Sequence, residues 1–62
     1  MHLTLNGAGH DTDAATLLEL VGPVPDGHAV AVNHEVVPRA EHGTRLLADG
    51  DVVDVVTAVA GG

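Results

Sequence analysis

The chain contains no cysteine, so neither a disulfide nor a thiolate zinc site can staple it, and packed secondary structure must hold the fold alone. It contains no Phe, Tyr, Trp or Ile either. Platforms for stacking nucleic-acid bases are thereby excluded, and any core must be filled by Val, Leu and Ala. Positive charge is equally scarce: Arg39 and Arg45 stand against nine Asp and Glu, for a net charge of −7. Such a surface repels phosphate backbones and anionic lipid, which argues against nucleic acid and membrane as partners and for basic or mixed protein surfaces. The same charge serves solubility, and composition leaves open whether it also steers partners. No apolar run approaches the roughly 20 residues of a membrane span, and Met1-His2-Leu3-Thr4 lacks the basic flank of a signal peptide. The expectation is a soluble, cytoplasmic protein.

Sixty-two residues make one domain, small enough to bury only about 60% of its unfolded surface. Met1, Leu3 and Leu5 alternate with His2 and Thr4, the period of a half-buried strand, and Asn6-Gly7 signals a hairpin. Its return strand, residues 8–12, is polar and contains glycine, which suits a sheet edge. Thr16 and Glu19 form a Thr-x-x-Glu capping box ahead of the apolar Leu17, Leu18, Leu20 and Val21. Asp13 is a competing cap one turn earlier, and either helix stops at Gly22-Pro23. A loop over 22–28 leads to a strand over 29–32, a turn at Asn33-His34, and a short strand over 35–37 ended by Pro38. Irregular chain follows through Thr44, Leu46-Leu47 suggests a short edge strand, and Asp49-Gly50 turns into a strand over 52–56. Alternation places Val53 and Val55 in the core, with Val52, Asp54 and Val56 on the opposite face.

The predicted class is α+β: a roll in which a mixed sheet of four to five strands carries one main helix on one face. Parallel pairing of the first and last strands would leave the other face, with Val52 and Val56, partly open. A small β-barrel with a helical insert competes but expects more strand and turn signals.

The last residues, Thr57-Ala58-Val59-Ala60-Gly61-Gly62, end in two side-chain-free positions able to thread a narrow channel and present a carboxylate unhindered. Transfer of AMP from ATP would activate that carboxylate, and a persulfide sulfur could displace AMP to leave a thiocarboxylate. A frayed, functionless end is the alternative, and spacing alone does not choose between them. Segment 57–62 is expected to be a flexible tail on a 1–62 domain. His2, His10, His28, His34 and His42 never show a His-x-x-x-His spacing, so no metal site is expected and the histidines read as solvated. Asp49 and Asp51 read as turn residues. Arg39 is either a partner contact or half of an internal ion pair.

Asn33-His34-Glu35-Val36-Val37-Pro38-Arg39 resembles an Asn-x-x-x-Val-Pro-Arg segment, and Asp49-Gly50-Asp51 followed by an alternating strand and Gly61-Gly62 resembles a family close. Together they are similar to the ThiS family of sulfur carriers in thiamine biosynthesis, in order over the whole chain. The resemblance implies a β-grasp, ubiquitin-like fold and a carrier, not a catalyst. Gly62, beside Gly61, is then the sulfur-carrying terminus, adenylated by an activating enzyme that uses ATP and Mg, with no cofactor bound permanently by the carrier itself. Sulfur would come from a donor such as a cysteine desulfurase and pass to thiazole synthase. Arg39, Val52, Val56 and Val59 are the possible partner contacts. One departure is that the family often has Trp where His42 stands. Three other functions share parts of the pattern: the small subunit of molybdopterin synthase, a ubiquitin-like modifier, and an interaction module using the Val52/Val56 face.

Overall fold

A computed structural model describes residues 1–57. The chain opens with β1 (His2–Leu5) and β2 (Ala8–Asp11), paired antiparallel with Leu5 opposite Ala8 and His2 opposite Asp11. Asn6 and Gly7 both take positive φ, 51° and 82°, as a two-residue turn matched to strand twist requires. A second turn of the same kind, Asn33 at φ 53° and His34 at φ 70°, joins β3 (His28–Val32) to β4 (Glu35–Val37).

Between the hairpins lies α1 (Leu17–Val21). Thr16 is its cap: the Glu19 N–H donates to Thr16 Oγ1 at 3.2 Å, and that hydroxyl donates on to Glu19 Oε1 at 3.3 Å. The carboxylate thus closes the box through the hydroxyl instead of the backbone N–H. Gly22, at φ 71°, ends the helix by donating to the Leu18 carbonyl at 2.8 Å.

The final strand, β5 (Val52–Thr57), enters the middle of the sheet, giving the order β2-β1-β5-β3-β4 among the described residues. It runs parallel to β1, with Thr4 beside Val52, and antiparallel to β3, with Val30 beside Val55 and Val32 beside Val53. This is the β-grasp arrangement, and its edges at β2 and β4 exclude a closed barrel. Leu3, Val30, Val32, Val37 and Val53 from the sheet bury against Leu17 of α1 and Leu47 of the following segment. Each such Val or Leu contributes about 1.5 to 3 kcal/mol of burial, which is how a core without aromatic rings is assembled.

The structure departs from expectation in several places. Leu46-Leu47 is not a sheet strand: Leu46 makes an isolated bridge to Thr16 and stays exposed, while Leu47 turns into the core. The bridge is closed by Leu17 N–H on the Arg45 carbonyl and Leu47 N–H on the Ala15 carbonyl, both at 2.9 Å, so this segment braces the start of α1. Residues Arg39–Glu41 form a 3-10 turn where irregular chain is expected. Thr57, assigned above to the tail, is the last residue of β5 and pairs with His28. Val55 packs on the core but is only half-buried, one pleat closer to the strand end than the fully buried Val53.

These positions rank three substitutions. Val53→Ala should cost about 1 to 3 kcal/mol, Val55→Ala less, and Asp54→Asn under about 0.5 kcal/mol. Equilibrium urea unfolding checks the ranking; Asp54→Asn as the most damaging change would place the strand in the opposite register.

Candidate functional site

The face of the sheet turned away from α1 is uncovered among the described residues. Down β5 it presents Val52, Asp54 and Val56; Thr4 flanks Val52, Ala31 flanks Asp54, Ala29 flanks Val56, and Val36 lies beyond Ala31 on β4. Val56 is 51% and Val36 66% exposed, whereas Val52 and Asp54 are half-buried. Small alanines on β3 keep this surface shallow. Along β5 it leads directly toward the chain's last residues.

Two asparagine side chains hold β5 in place. Asn6 Oδ1 accepts from the Val55 N–H at 2.8 Å, standing in for a main-chain carbonyl where β1 has already turned away. On the other side Asn33 takes part twice: its N–H donates to the Val52 carbonyl at 2.7 Å, and its Oδ1 accepts from the Val52 N–H at 2.9 Å. The Asn33 amide also donates to Asp51 Oδ1 at 3.1 Å, and Asp51 Oδ2 accepts from the Ala48 N–H at 2.8 Å. Asp51 is therefore a buried, fully engaged carboxylate, beyond the turn role that Asp-Gly-Asp suggests. Asp49 Oδ1 accepts from the His2 N–H at 2.8 Å and ties the same turn to β1.

Around this frame, Arg39 donates to Asp26 Oδ1 at 2.9 Å and to the Pro25 carbonyl at 3.0 Å, pinning the loop before β3 while its guanidinium stays about half exposed. The expectation of solvated histidines fails at His42, which is 4% exposed. Its ring lies 2.9 Å from the Val37 carbonyl, an acceptor only, so Nε2 carries the proton and donates. The backbone carbonyl of His42 in turn accepts from the Leu18 N–H at 2.8 Å. A buried imidazole with a satisfied donor thus occupies the position at which the resemblance expects Trp. Among the described residues no group of three His, Cys, Asp or Glu could hold a metal ion, and no helix is long and apolar enough to cross a membrane. Val59, Gly61 and Gly62 lie outside the described residues, as does the expected tail from residue 58 onward.

Comparison with known proteins bears on those last residues. The model of the ThiS family matches residues 4–62. The chain belongs to the ThiS family. A solved thiamine biosynthesis protein (ThiS) from Geobacter metallireducens is 30% identical, superposes with a TM-score of 0.81, and is covered completely, as is this chain. A thiazole synthase of Magnetococcus marinus is 36% identical over 66 residues, which take in this whole chain but only 20% of that protein. The chain thus spans about a fifth of the length of that curated relative. Members of the ThiS family are sulfur carriers of thiamine biosynthesis.

Within a ThiS-family chain the Asn-x-x-x-Val-Pro-Arg pattern now has a physical basis. Asn33 caps β5, Val37 enters the core and offers its carbonyl to His42, Pro38 ends β4, and Arg39 clamps the 25–26 loop. Sequence reading could not assign these tasks, because each partner lies on a distant segment.

One surface contact makes a pH prediction. Asp11 Oδ1 sits 2.6 Å from His2 Nδ1 across the β1/β2 pair. The hydrogen bond from His2, and secondly the charge on that ring, hold the Asp11 carboxyl below its usual 3.8. Stability from this contact is present above 3.8 and is lost as pH falls through the lower folded value. An NMR titration should place Asp11 below 3.8 in the natural chain and shift it up toward 3.8 in His2→Ala; a natural-chain midpoint at or above 3.8 would contradict the bond.

Proposed function

We propose that the chain carries sulfur for the thiazole of thiamine as a thiocarboxylate on Gly62. The observation that carries this reading is that the ThiS-family match runs through residue 62 and so includes Gly61-Gly62. The Gly62 carboxylate attacks the α-phosphate of ATP in an Mg-dependent activating enzyme, releasing pyrophosphate and forming an acyl adenylate. A persulfide sulfur from a cysteine-desulfurase route then displaces AMP, and a thiol cleaves the resulting S–S bond to leave the thiocarboxylate. Glycine at both final positions lets the backbone pass a tight channel without a Cβ to obstruct it.

Thiazole synthase is the acceptor in this scheme. Support comes from the Magnetococcus marinus thiazole synthase, one polypeptide that includes a segment similar to this entire chain. Covalent union raises the effective concentration of two units to the millimolar range, an advantage only when they must meet repeatedly. Val52 and Val56 on the uncovered face and Arg39 are the proposed contacts for these partners, with Val59, outside the described residues, as a further one. Use of ATP supports a cytoplasmic setting.

A chain ending at Gly61 tests the scheme. Loss of one residue withdraws the carboxylate by about 3.3 to 3.6 Å, and misplacement by about 1 Å can cost on the order of a hundredfold in rate. Adenylation and thiocarboxylate formation should be abolished while thermal unfolding is unchanged. Gly61→Val, which retains the carboxylate but adds a β-branched side chain, should reduce both steps without changing stability. Normal sulfur loading of the shortened chain would refute the mechanism.

A further inference from the structure

We infer that Asn6-Gly7 is a modification site, at which Asn6 loses its side-chain amide through a succinimide, and that the hydrogen bond to Val55 gates the reaction. The chain has two asparagines, Asn6 and Asn33. Gly7 follows the first; it is exposed, with nothing within 4 Å of where a Cβ would stand. Among the described residues its N–H donates to no protein acceptor. Asn6 is exposed as well, so water and hydroxide reach both groups. His34 follows the second, and a side chain there hinders approach of the backbone nitrogen. Asn33 is also held through both its amide atoms, by the Val52 N–H and by Asp51 Oδ1, whereas among the described residues Asn6 is held through Oδ1 alone.

The reaction needs no enzyme. Hydroxide takes the Gly7 N–H proton, the nitrogen attacks Asn6 Cγ, and the Cγ–Nδ2 bond breaks as ammonia leaves with a proton from water. Water then opens the imide. Cleavage at Cγ leaves an aspartyl residue at position 6, and cleavage at the main-chain carbonyl leaves an isoaspartyl link. In the folded chain Asn6 Oδ1 accepts from the Val55 N–H at 2.8 Å, and the Asn6 N–H donates to the Val53 carbonyl at 2.9 Å. Positive φ at both Asn6 and Gly7 makes the turn type I′, and ring closure turns the peptide between them over. Turn and Val55 bond must therefore open first, so the folded chain reacts through a local opening where β1 meets β5. The two products then differ. An aspartyl carboxylate still accepts from Val55; the isoaspartyl link routes the main chain through the former side chain, lengthens the turn by one methylene and removes that acceptor. This chemistry stands apart from the carrier reading.

The test incubates the full chain in mildly alkaline buffer, folded and in guanidinium chloride. Intact mass, peptide maps that separate aspartyl from isoaspartyl products, and Val55 amide exchange are followed. Asn6 should convert first while Asn33 persists. Folding should slow the conversion by about tenfold or more, and Gly7→Ala should slow it by about tenfold in denaturant, where its fold is not at issue. Asn6→Asp should keep the natural Val55 protection, while the purified isoaspartyl form should exchange Val55 about tenfold faster. Conversion of Asn33 ahead of Asn6, no conversion in denaturant, or a Gly7→Ala rate equal to the natural one overturns the site. Equal rates folded and unfolded, or natural Val55 protection in the isoaspartyl form, overturn the gate.

Discussion

The structure depends on β5 lying between β1 and β3. Among the described residues the last strand is the central one in the sheet, so the two hairpins are joined into one sheet only when residues 52–57 have entered between them. Its backbone is bonded on both sides over residues 52–55, and two of those hydrogen bonds are accepted by side chains, Asn6 from Val55 and Asn33 from Val52. Both asparagines occupy left-handed turn positions, so one residue shapes a turn and also holds the strand passing beside it. The same insertion buries Val53 against α1, coupling sheet closure to core formation. Pairing the first strand with the last delays the most rewarding contacts, a topology that slows folding relative to one built on local contacts.

Local chemistry was legible where neighbours in sequence decide it. Asn6-Gly7, the Thr16 cap, the Gly22 stop and the alternation of Val53 and Asp54 all act within a few residues and are found as expected. What escaped was set by distant partners. Nothing near His42 marks it as buried; its slot is created by β4 above it and α1 beside it. Asp51 looks like one more turn acid until Asn33 and Ala48 are brought to it. Leu46-Leu47 has strand composition, yet the five strands are already paired and the segment instead braces α1. Residues at the proposed sulfur-bearing end were legible only through family pattern, because two glycines carry no side-chain chemistry of their own.

A division of labour follows for a ThiS-family carrier. The folded body supplies a central strand bonded from both neighbours and an apolar face with one acid, while the proposed scheme assigns reactivity to Gly62. A carrier needs no pocket on this account, since enzymes supply the nucleotide site and the acceptor. In the proposed scheme the lack of Cys and Lys side chains leaves an activated acyl group few nucleophiles in its own chain to attack it.

The central claim is that Gly62 is loaded with sulfur, and intact-mass spectrometry reads this directly. Incubated with the activating enzyme, ATP and a persulfide donor, the chain should gain the mass difference of one sulfur replacing one oxygen, with the change confined to its C-terminal peptide. An unaltered mass, or a mass showing attachment to a lysine of another protein, would contradict the account.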